Sequence, residues 1–471
     1  MKVENKVMLI TYANSLGGNL KSLHHVIDKH FNNAIKGVHI LPFFPSSADR
    51  GFAPTTYKKV DEVFGDWNDI KSLSNKRYLM FDFMANHISR SSIYFKDYQD
   101  KKDNSEYAQL FIPYSKFWTN GEPTDEQIDV IYKRKPRAPY IDVLFKDGTN
   151  DKIWCTFDEE QIDLDVKTGT TKKFFKNNLE FLCNSGASII RLDAFAYVTK
   201  KENTNCFFVE PDVWETLEYI DGVLHDCNVA LLPEIHEHYT MQLKIADHGY
   251  YVYDFALPML LLHALYSGKK HNLINWLKIC PRKQFTTLDT HDGIGIVDVK
   301  DLLTDKEIEF TKEKMYSQGA NAKKIYSSEK YNNLDIYQIN CTYYSALGDD
   351  DDAYLLARAI QCFTPGIPQI YYVGLLAGKN DIELVEKTKT GRDINRHNYT
   401  HDEIENEVER PVVKELIKLL EFRNNHPAFD GDFEIVDSNK ENELVLKWTK
   451  NKYTAIIEAD LQSKKFSIRH N

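Results

Sequence analysis

The stretch Ser188–Tyr197, SIIRLDAFAY, is read as a buried strand in which Ile189, Ile190, Leu192 and Phe195 supply the apolar surface and Arg191 and Asp193 interrupt it. A buried charge is costly unless it is paired and hydrogen-bonded. Side chains alternate along a strand, so Arg191 and Asp193 share one face. Seven other short apolar runs resemble this one: VMLITYA (7–13), GVHILPFF (37–44), YLMFDFMAN (78–86), VALLPEIHE (229–237), YYVYDFALP (250–258), QFTTLDTHD (284–292) and IPQIYYVG (367–374). Between many of them lie helical patterns such as LKSLHHVIDKHF, TKKFFKNNLEFLC and DVWETLEYIDGVLHDC. Strands alternating with helices predict βα units and a parallel sheet. Eight such units predict an α/β chain built on a (β/α)8 TIM barrel. A doubly wound nucleotide-binding sheet is the rival, but no GxGxxG follows a strand.

Two stretches break the rhythm. Residues 87–166 and 293–358 are too long for simple loops and predict inserted subdomains above the carboxyl ends of the strands, where barrels build their sites. The barrel then occupies 1–86, 167–292 and 359–433. The tail, 434–471, loses the helical pattern and reads as a small antiparallel β domain. The four-aspartate run in GDDDDAYLLARAIQ (348–361) opens a helix, where acidic residues favour the dipole.

The chain has 471 residues, 42% hydrophobic and 13% aromatic, which is enough for a sizeable core and excludes global disorder. A net charge of −11 disfavours nucleic acid and anionic membrane as partners. Seven scattered cysteines without a CxxC pair fit a reduced, cytoplasmic protein. The amino-terminal run reads neither as a signal peptide nor as a membrane span, and no apolar segment approaches twenty residues. The oligomeric state is not fixed by the sequence, and a homodimer is compatible with it.

Four carboxylates stand at strand ends: Asp82, Asp193, Glu234 and Asp292. Carboxylates meeting in one pocket beside an arginine suit glycoside chemistry, in which one attacks the anomeric carbon and another, protonated, releases the leaving oxygen. Asp193, beside Arg191, is expected to be kept ionised and to act as nucleophile. Glu234, behind Leu231, Leu232 and Pro233, is expected to be raised by apolar burial and to act as general acid. His236 and His238 flank Glu237, but that is not the HExxH spacing, so a metal is not expected.

The motifs DFMANH (82–87), RLDAFAY (191–197), LLPEIHEHY (231–239) and LDTHDG (288–293) resemble, in order, the four signature regions of the α-amylase superfamily. Further blocks resemble the sucrose phosphorylase family over almost the whole chain, among them GVHILPFFPSSADRGFAPTTY (37–57), EEQIDLDV (159–166) and GRDINRH (391–397). The resemblance implies a catalytic barrel, domains B and B′ in the two gaps, and a retaining double displacement on sucrose with inorganic phosphate as acceptor. The products implied are glucose 1-phosphate and fructose, with no cofactor and no metal. It implies Asp193 as nucleophile, Glu234 as general acid and base, and Asp292 as transition-state stabiliser. Arg191, His87 and His291 match residues that hold the glucosyl unit. Asp49 and Arg396 match the pair closing the pocket floor, and Phe52 an apolar platform. Gln161, Tyr197 and His236 match acceptor-side positions.

A dianionic acceptor in an acidic protein needs local cations. YKRKPR (132–137) supplies Lys133, Arg134, Lys135 and Arg137, and matches the family's acceptor-site loop. Leu334, Asp335, Tyr337 and Gln338, in LDIYQ (334–338), match a second acceptor segment. Arg134 stands where many sucrose phosphorylases carry proline, and relatives that use sucrose 6′-phosphate also place a basic residue in this loop. The tyrosine and glutamine of LDIYQ match the sucrose-using group. Sucrose is therefore the expected substrate, with the phosphorylated sugar as the alternative and an α-glucoside hydrolase behind both.

Overall fold

The computed structural model describes residues 2–322 and 338–471, the side chains of Asp49 and Ala322 excepted. All eight expected strands form. They are β1 (Met8–Thr11), β2 (Gly37–Ile40), β3 (Tyr78–Phe83), β4 (Ala187–Leu192), β5 (Ala230–Pro233), β6 (Val252–Asp254), β7 (Gln284–Thr286) and β8 (Ile367–Tyr371). Neighbours in sequence pair in parallel and β8 returns to β1, so the sheet is a barrel closed everywhere except between β5 and β6, where the described residues form no ladder.

Alternation sorts the side chains. Met8, Tyr78, Met80, Ile189, Leu232, Tyr253, Phe255, Phe285 and Ile367 pack together inside the barrel, while Leu9, Val38, Leu79, Phe81, Ile190 and Leu192 join the larger core under the helices. Gly37 is opposite Tyr78 in the ladder, and a Cβ on it would fall 2.3 Å from the tyrosine ring, so glycine at this position makes room for the filling of the barrel floor. The outer helices carry their own start signals. Helix Leu20–His30 is capped by Asn19, whose side chain accepts from the Ser22 amide, and it buries Leu20, Leu23, Val26 and Ile27. Helix Trp67–Ser74 begins with a reciprocal capping box between Asp66 and Asp69. Helices Gly169–Asn184 and Asp212–Asp226 lie where the periodicity predicts them. The aspartate run opens helix Asp351–Phe363, with Asp350 as its cap.

The long gaps contain structure of their own. Between β3 and β4, His87–Ser89 pairs with Gln161–Asp163 and Tyr140–Leu144 with Asn150–Trp154. Between β7 and β8, Ile294–Gly295 and Asn321–Ala322 flank Gln338–Asn340, next to helix Asp305–Ser317. The final sheet has four antiparallel strands and starts at Asp432, two residues before the expected boundary. No helix among the described residues is long and apolar enough to cross a membrane. All seven cysteines are free thiols.

Candidate active site

Inward parity on β3, β4 and β5 converges at their carboxyl ends. Asp82 and Arg191 are register partners on β3 and β4, and the Arg191 guanidinium pairs directly with the Asp82 carboxylate. The same Nη1 lies 2.9 Å from Asp193, and Nη2 lies 3.6 Å from Glu234. One buried cation therefore bridges three carboxylates. His39, inward on β2, holds the far oxygen of Asp82 at 2.7 Å. Directly after β4, Ala194 adopts φ 50° and ψ 36°, a left-handed conformation that an L-residue enters at a cost of order 1 kcal/mol. That turn aims its amide at Glu234 Oε2, 3.0 Å away, so the backbone next to Asp193 positions the Glu234 carboxyl.

Asp292 and His291 come from the segment after β7. Asp292 pairs with Arg392 at 3.0 Å, and Arg396 donates from Nε and Nη2 to the His291 carbonyl at 3.0 and 2.9 Å. Phe52 stacks on the His291 ring with centroids 5.0 Å apart and planes 5° from parallel, forming a flat apolar wall. His87 and Gln161, at opposite ends of the short ladder of the first insertion, both place Nε2 on the Phe52 carbonyl, at 2.9 and 3.0 Å. Beneath them Lys200 reaches Asp163 at 2.6 Å, Asn86 Oδ1 at 2.6 Å and the Tyr197 carbonyl at 2.7 Å.

One cavity gathers Phe52, His87, Gln161, Asp193, Tyr197, Glu234, His236, His291, Asp292 and Gln338, with Arg134 and Lys135 on its wall. Arg191 lies below, lining a smaller space between the carboxylates and the barrel interior. Arg134 lies over the Tyr197 ring, 5.9 Å from its centroid, and Lys135 pairs with Asp158 at 2.5 Å. Two basic residues of the loop lie elsewhere. Lys133 is buried and stands 3.8 Å from Asp129. Arg137 is not on the cavity wall: its guanidinium donates to the carbonyls of Ala138, Tyr140, Cys155 and Phe157 and so shapes the loop. Leu334, Asp335 and Tyr337, and the side chain of Asp49, lie outside the described residues.

The electrostatics differ from the sequence expectation at Asp193. Burial pushes its carboxyl up to about 8, and Glu234 and Asp82 add to that push. Arg191 offsets only part, because its charge is divided among three carboxylates. The carboxyl that Arg191 does hold low is Asp82's: there His39 and Arg191 overcome burial and bring it to about 2. Asp292 is also held well below the usual carboxylate range, since the cations Arg392 and Arg396 outweigh burial. The two flanking histidines diverge. Burial, with Arg191 and Arg396 nearby, drives His291 down to about 3 and keeps it neutral. At His236 burial opposes the charge, but Asp298, Glu234 and Asp292 outweigh it and raise the imidazole.

Glu234, His236 and Asp292 bring donor atoms within 4.8 Å of one another, the one such trio among the described residues. Their carboxylates already face Arg191 and Arg392, so the set is an ion-pair network more than a cation cage. Three contributors escaped sequence reasoning. Arg392 sits four residues before Arg396 in the quoted GRDINRH block. His39 had a signal in parity, being a polar inward residue on a strand next to the one carrying Asp82. Asp298 had none, because only the fold brings it to His236.

Residues 14–252 match the family model for the α-amylase catalytic domain. The chain is 56% identical to a sucrose phosphorylase from Streptococcus mutans, over all of this chain and 98% of that one. The chain belongs to the α-amylase family. Within that family it is also 46% identical to a sucrose 6(F)-phosphate phosphorylase from Thermoanaerobacterium thermosaccharolyticum, over 99% and 97% of the two chains. The crystal structure of a sucrose 6F-phosphate phosphorylase from Thermoanaerobacter thermosaccharolyticum superimposes with a TM-score of 0.96 at 46% identity, covering all of this chain and 96% of that one. The eight-stranded barrel and the carboxyl-terminal antiparallel sheet are thus those of an α-amylase family member.

Proposed function

We propose that this protein is a cytoplasmic glucosyl transferase that converts sucrose and inorganic phosphate into α-glucose 1-phosphate and fructose with retention. The observation that carries this reading is the placement of Arg134 and Lys135 on the wall of the cavity that holds Asp193, Glu234 and Asp292. A hydrolase needs no cations there, whereas a phosphate acceptor does. The 56% identity to a sucrose phosphorylase supports the same choice.

In the first step the bond from C1 to the fructosyl oxygen breaks, Glu234 gives its proton to that oxygen, and Asp193 forms a bond to C1. In the second, a phosphate oxygen attacks C1, the Asp193 carboxylate leaves, and the proton on the attacking oxygen passes to Glu234. Retention requires one proton on the pair of carboxyls, residing on Glu234 at the moment of attack. Burial raises the Asp193 carboxyl, and Arg191 opposes that rise. Asp292, ionised and fixed by Arg392, faces the charge that develops on the sugar ring. Phe52 and neutral His291 offer the sugar an apolar face and an uncharged edge, and Arg396 fixes the backbone beneath them.

The decisive experiment is sucrose in phosphate buffer, followed by assay of glucose 1-phosphate. Free glucose alone defeats the reading. Sucrose 6′-phosphate is the second reading. It is favoured by Arg134 on the cavity wall and by the 46% identical relative that carries that name. It is accepted instead if kcat/KM is higher on the phosphorylated sugar.

A further inference from the structure

The two histidines of EIHEH, two residues apart after β5, meet two aspartates three apart in the second insertion. His236 Nδ1 lies 3.4 Å from Asp298, and His238 Nε2 lies 3.0 Å from Asp301. The first contact is buried. Asp298 is 1% exposed, and its Oδ1 has no hydrogen-bond partner among the described residues. The other ring nitrogen of His236 points at Glu234 Oε1, 3.3 Å away. Phe255 stacks on the imidazole, centroids 3.8 Å apart and planes 16° from parallel, which fixes the ring plane. Gly295 makes the approach possible. A Cβ there would stand 2.1 Å from Asp298 Oδ2 and 3.5 Å from His236 Nδ1.

Resting on the proposed function, we infer that Asp298 is a positioning residue for the phosphate half of the reaction: it orients His236 and holds it as an imidazolium facing Glu234 and the acceptor side of the cavity. An aspartate on one imidazole nitrogen fixes the proton there and directs the other N–H at the general base. The cation so formed sits where Glu234 must be a carboxylate to accept the proton of the attacking phosphate. It also adds positive charge to a wall that already carries Arg134 and Lys135. Water, being neutral, gains nothing from that charge, so the Asp298–His236 pair discriminates between acceptors. The other charged groups around the ring are Glu234 after β5, Asp292 after β7 with its partner Arg392, and Arg191 on β4. Arg191 is already committed to Asp82 and Asp193, and Arg392 to Asp292, so Asp298 supplies the charge that tips the balance at His236. The direction of the His236 shift, upward against burial, agrees.

Asp298→Asn keeps the shape and removes the charge. Two half-reactions are read separately: fluoride release from α-glucosyl fluoride, whose leaving group needs no proton, and glucose 1-phosphate formation against free glucose at varied phosphate. The variant is expected to raise the phosphate KM about tenfold, to lift the hydrolysed share of product, and to move the alkaline limb of the phosphate-dependent rate to lower pH by about one unit. The fall in fluoride release is expected to be the smaller effect. Gly295→Ala, which pushes the carboxylate off His236, is expected to reproduce the pattern, and it serves as the test if Asp298→Asn does not fold. An unchanged phosphate KM and pH limb overturns the assignment. So does an equal loss in both half-reactions, the mark of a merely structural role. If the unaltered protein makes no glucose 1-phosphate, the proposed function fails first and this assignment fails with it.

Discussion

Lys200 is the buried cation on which the first insertion rests, and replacing it tests how the fold supports the site. Lys200 is 4% exposed and Asp163 and Asn86 are fully buried, so Lys200→Met leaves a carboxylate and an amide oxygen without their cation. Breaking one side of a buried pair costs about 3–5 kcal/mol. Asp163 keeps the Thr156 amide at 2.9 Å, the Thr156 hydroxyl at 2.6 Å and the Asn86 amide at 3.2 Å, so the low end, about 3 kcal/mol, applies. With an unfolding entropy of about 2.1 cal/mol/K per residue, a chain of this length loses roughly 3 °C in Tm if it melts as one unit. The local effect is larger. Asp163 is the ladder partner of His87, and Gln161 is two residues away, so loosening this strand moves both groups that meet at the Phe52 carbonyl. The sucrose KM is expected to rise about tenfold, equivalent to 1.4 kcal/mol of lost uniform binding. Calorimetry and initial rates on sucrose measure the two effects. Lys200→Met combined with Asp163→Asn removes the orphaned charge and should recover at least half of the stability loss. A single variant that melts within 1 °C of the parent with an unchanged KM refutes the argument. So does a double variant no more stable than the single one.

Asp193→Asn is expected to lower turnover on sucrose by at least about 10^4, read as glucose 1-phosphate released. The same variant should melt higher than the parent at pH 8: a carboxyl raised to about 8 in the fold but ordinary when unfolded costs stability as pH rises from about 4 to 8, so the gain grows over that window and vanishes below it. A variant that melts lower at pH 8 contradicts the burial argument. Arg134→Ala should raise the phosphate KM about tenfold while leaving Tm within a degree, because the side chain lines the cavity. Arg137→Ala should instead lower stability by about 2 kcal/mol, since its carbonyl partners lose a charged donor, and an Arg137→Ala protein as stable as the parent removes it as the loop's scaffold.

The parts of the molecule visible in the sequence are those with a local signature. All eight strands were legible because each carries an apolar run ended by a polar residue, and the helices because their apolar spacing and caps are contiguous. The insertions were legible only as interruptions. Nothing in residues 87–166 says that His87 and Gln161 fold onto one carbonyl, because that meeting depends on a ladder between positions far apart in the chain. The basic loop shows the same limit. Four cations within YKRKPR look equivalent in one dimension, yet Arg134 and Lys135 face the cavity, Lys133 is buried, and Arg137 is absorbed by four carbonyls.

Asp193 shows why adjacency in sequence does not decide charge. Arg191 is two residues away on the same face, which by itself argues for a depressed carboxyl. The register adds what the local stretch omits: Asp82 is the ladder partner of Arg191 on one side, and β5 delivers Glu234 on the other. A guanidinium shared three ways cannot hold every partner low once all are buried, and the most enclosed pairing, with His39 behind it, takes the larger part. Asp193 is left higher than Asp82. A carboxylate held as firmly as Asp82 would be poorly suited to attack on a sugar: its negative charge would be spent on Arg191 before a sugar arrived. The sequence expectation assigned Asp193 as nucleophile from the cation beside it. The proposed role of Asp193 rests on a different ground, namely that the cation beside it is already committed to Asp82.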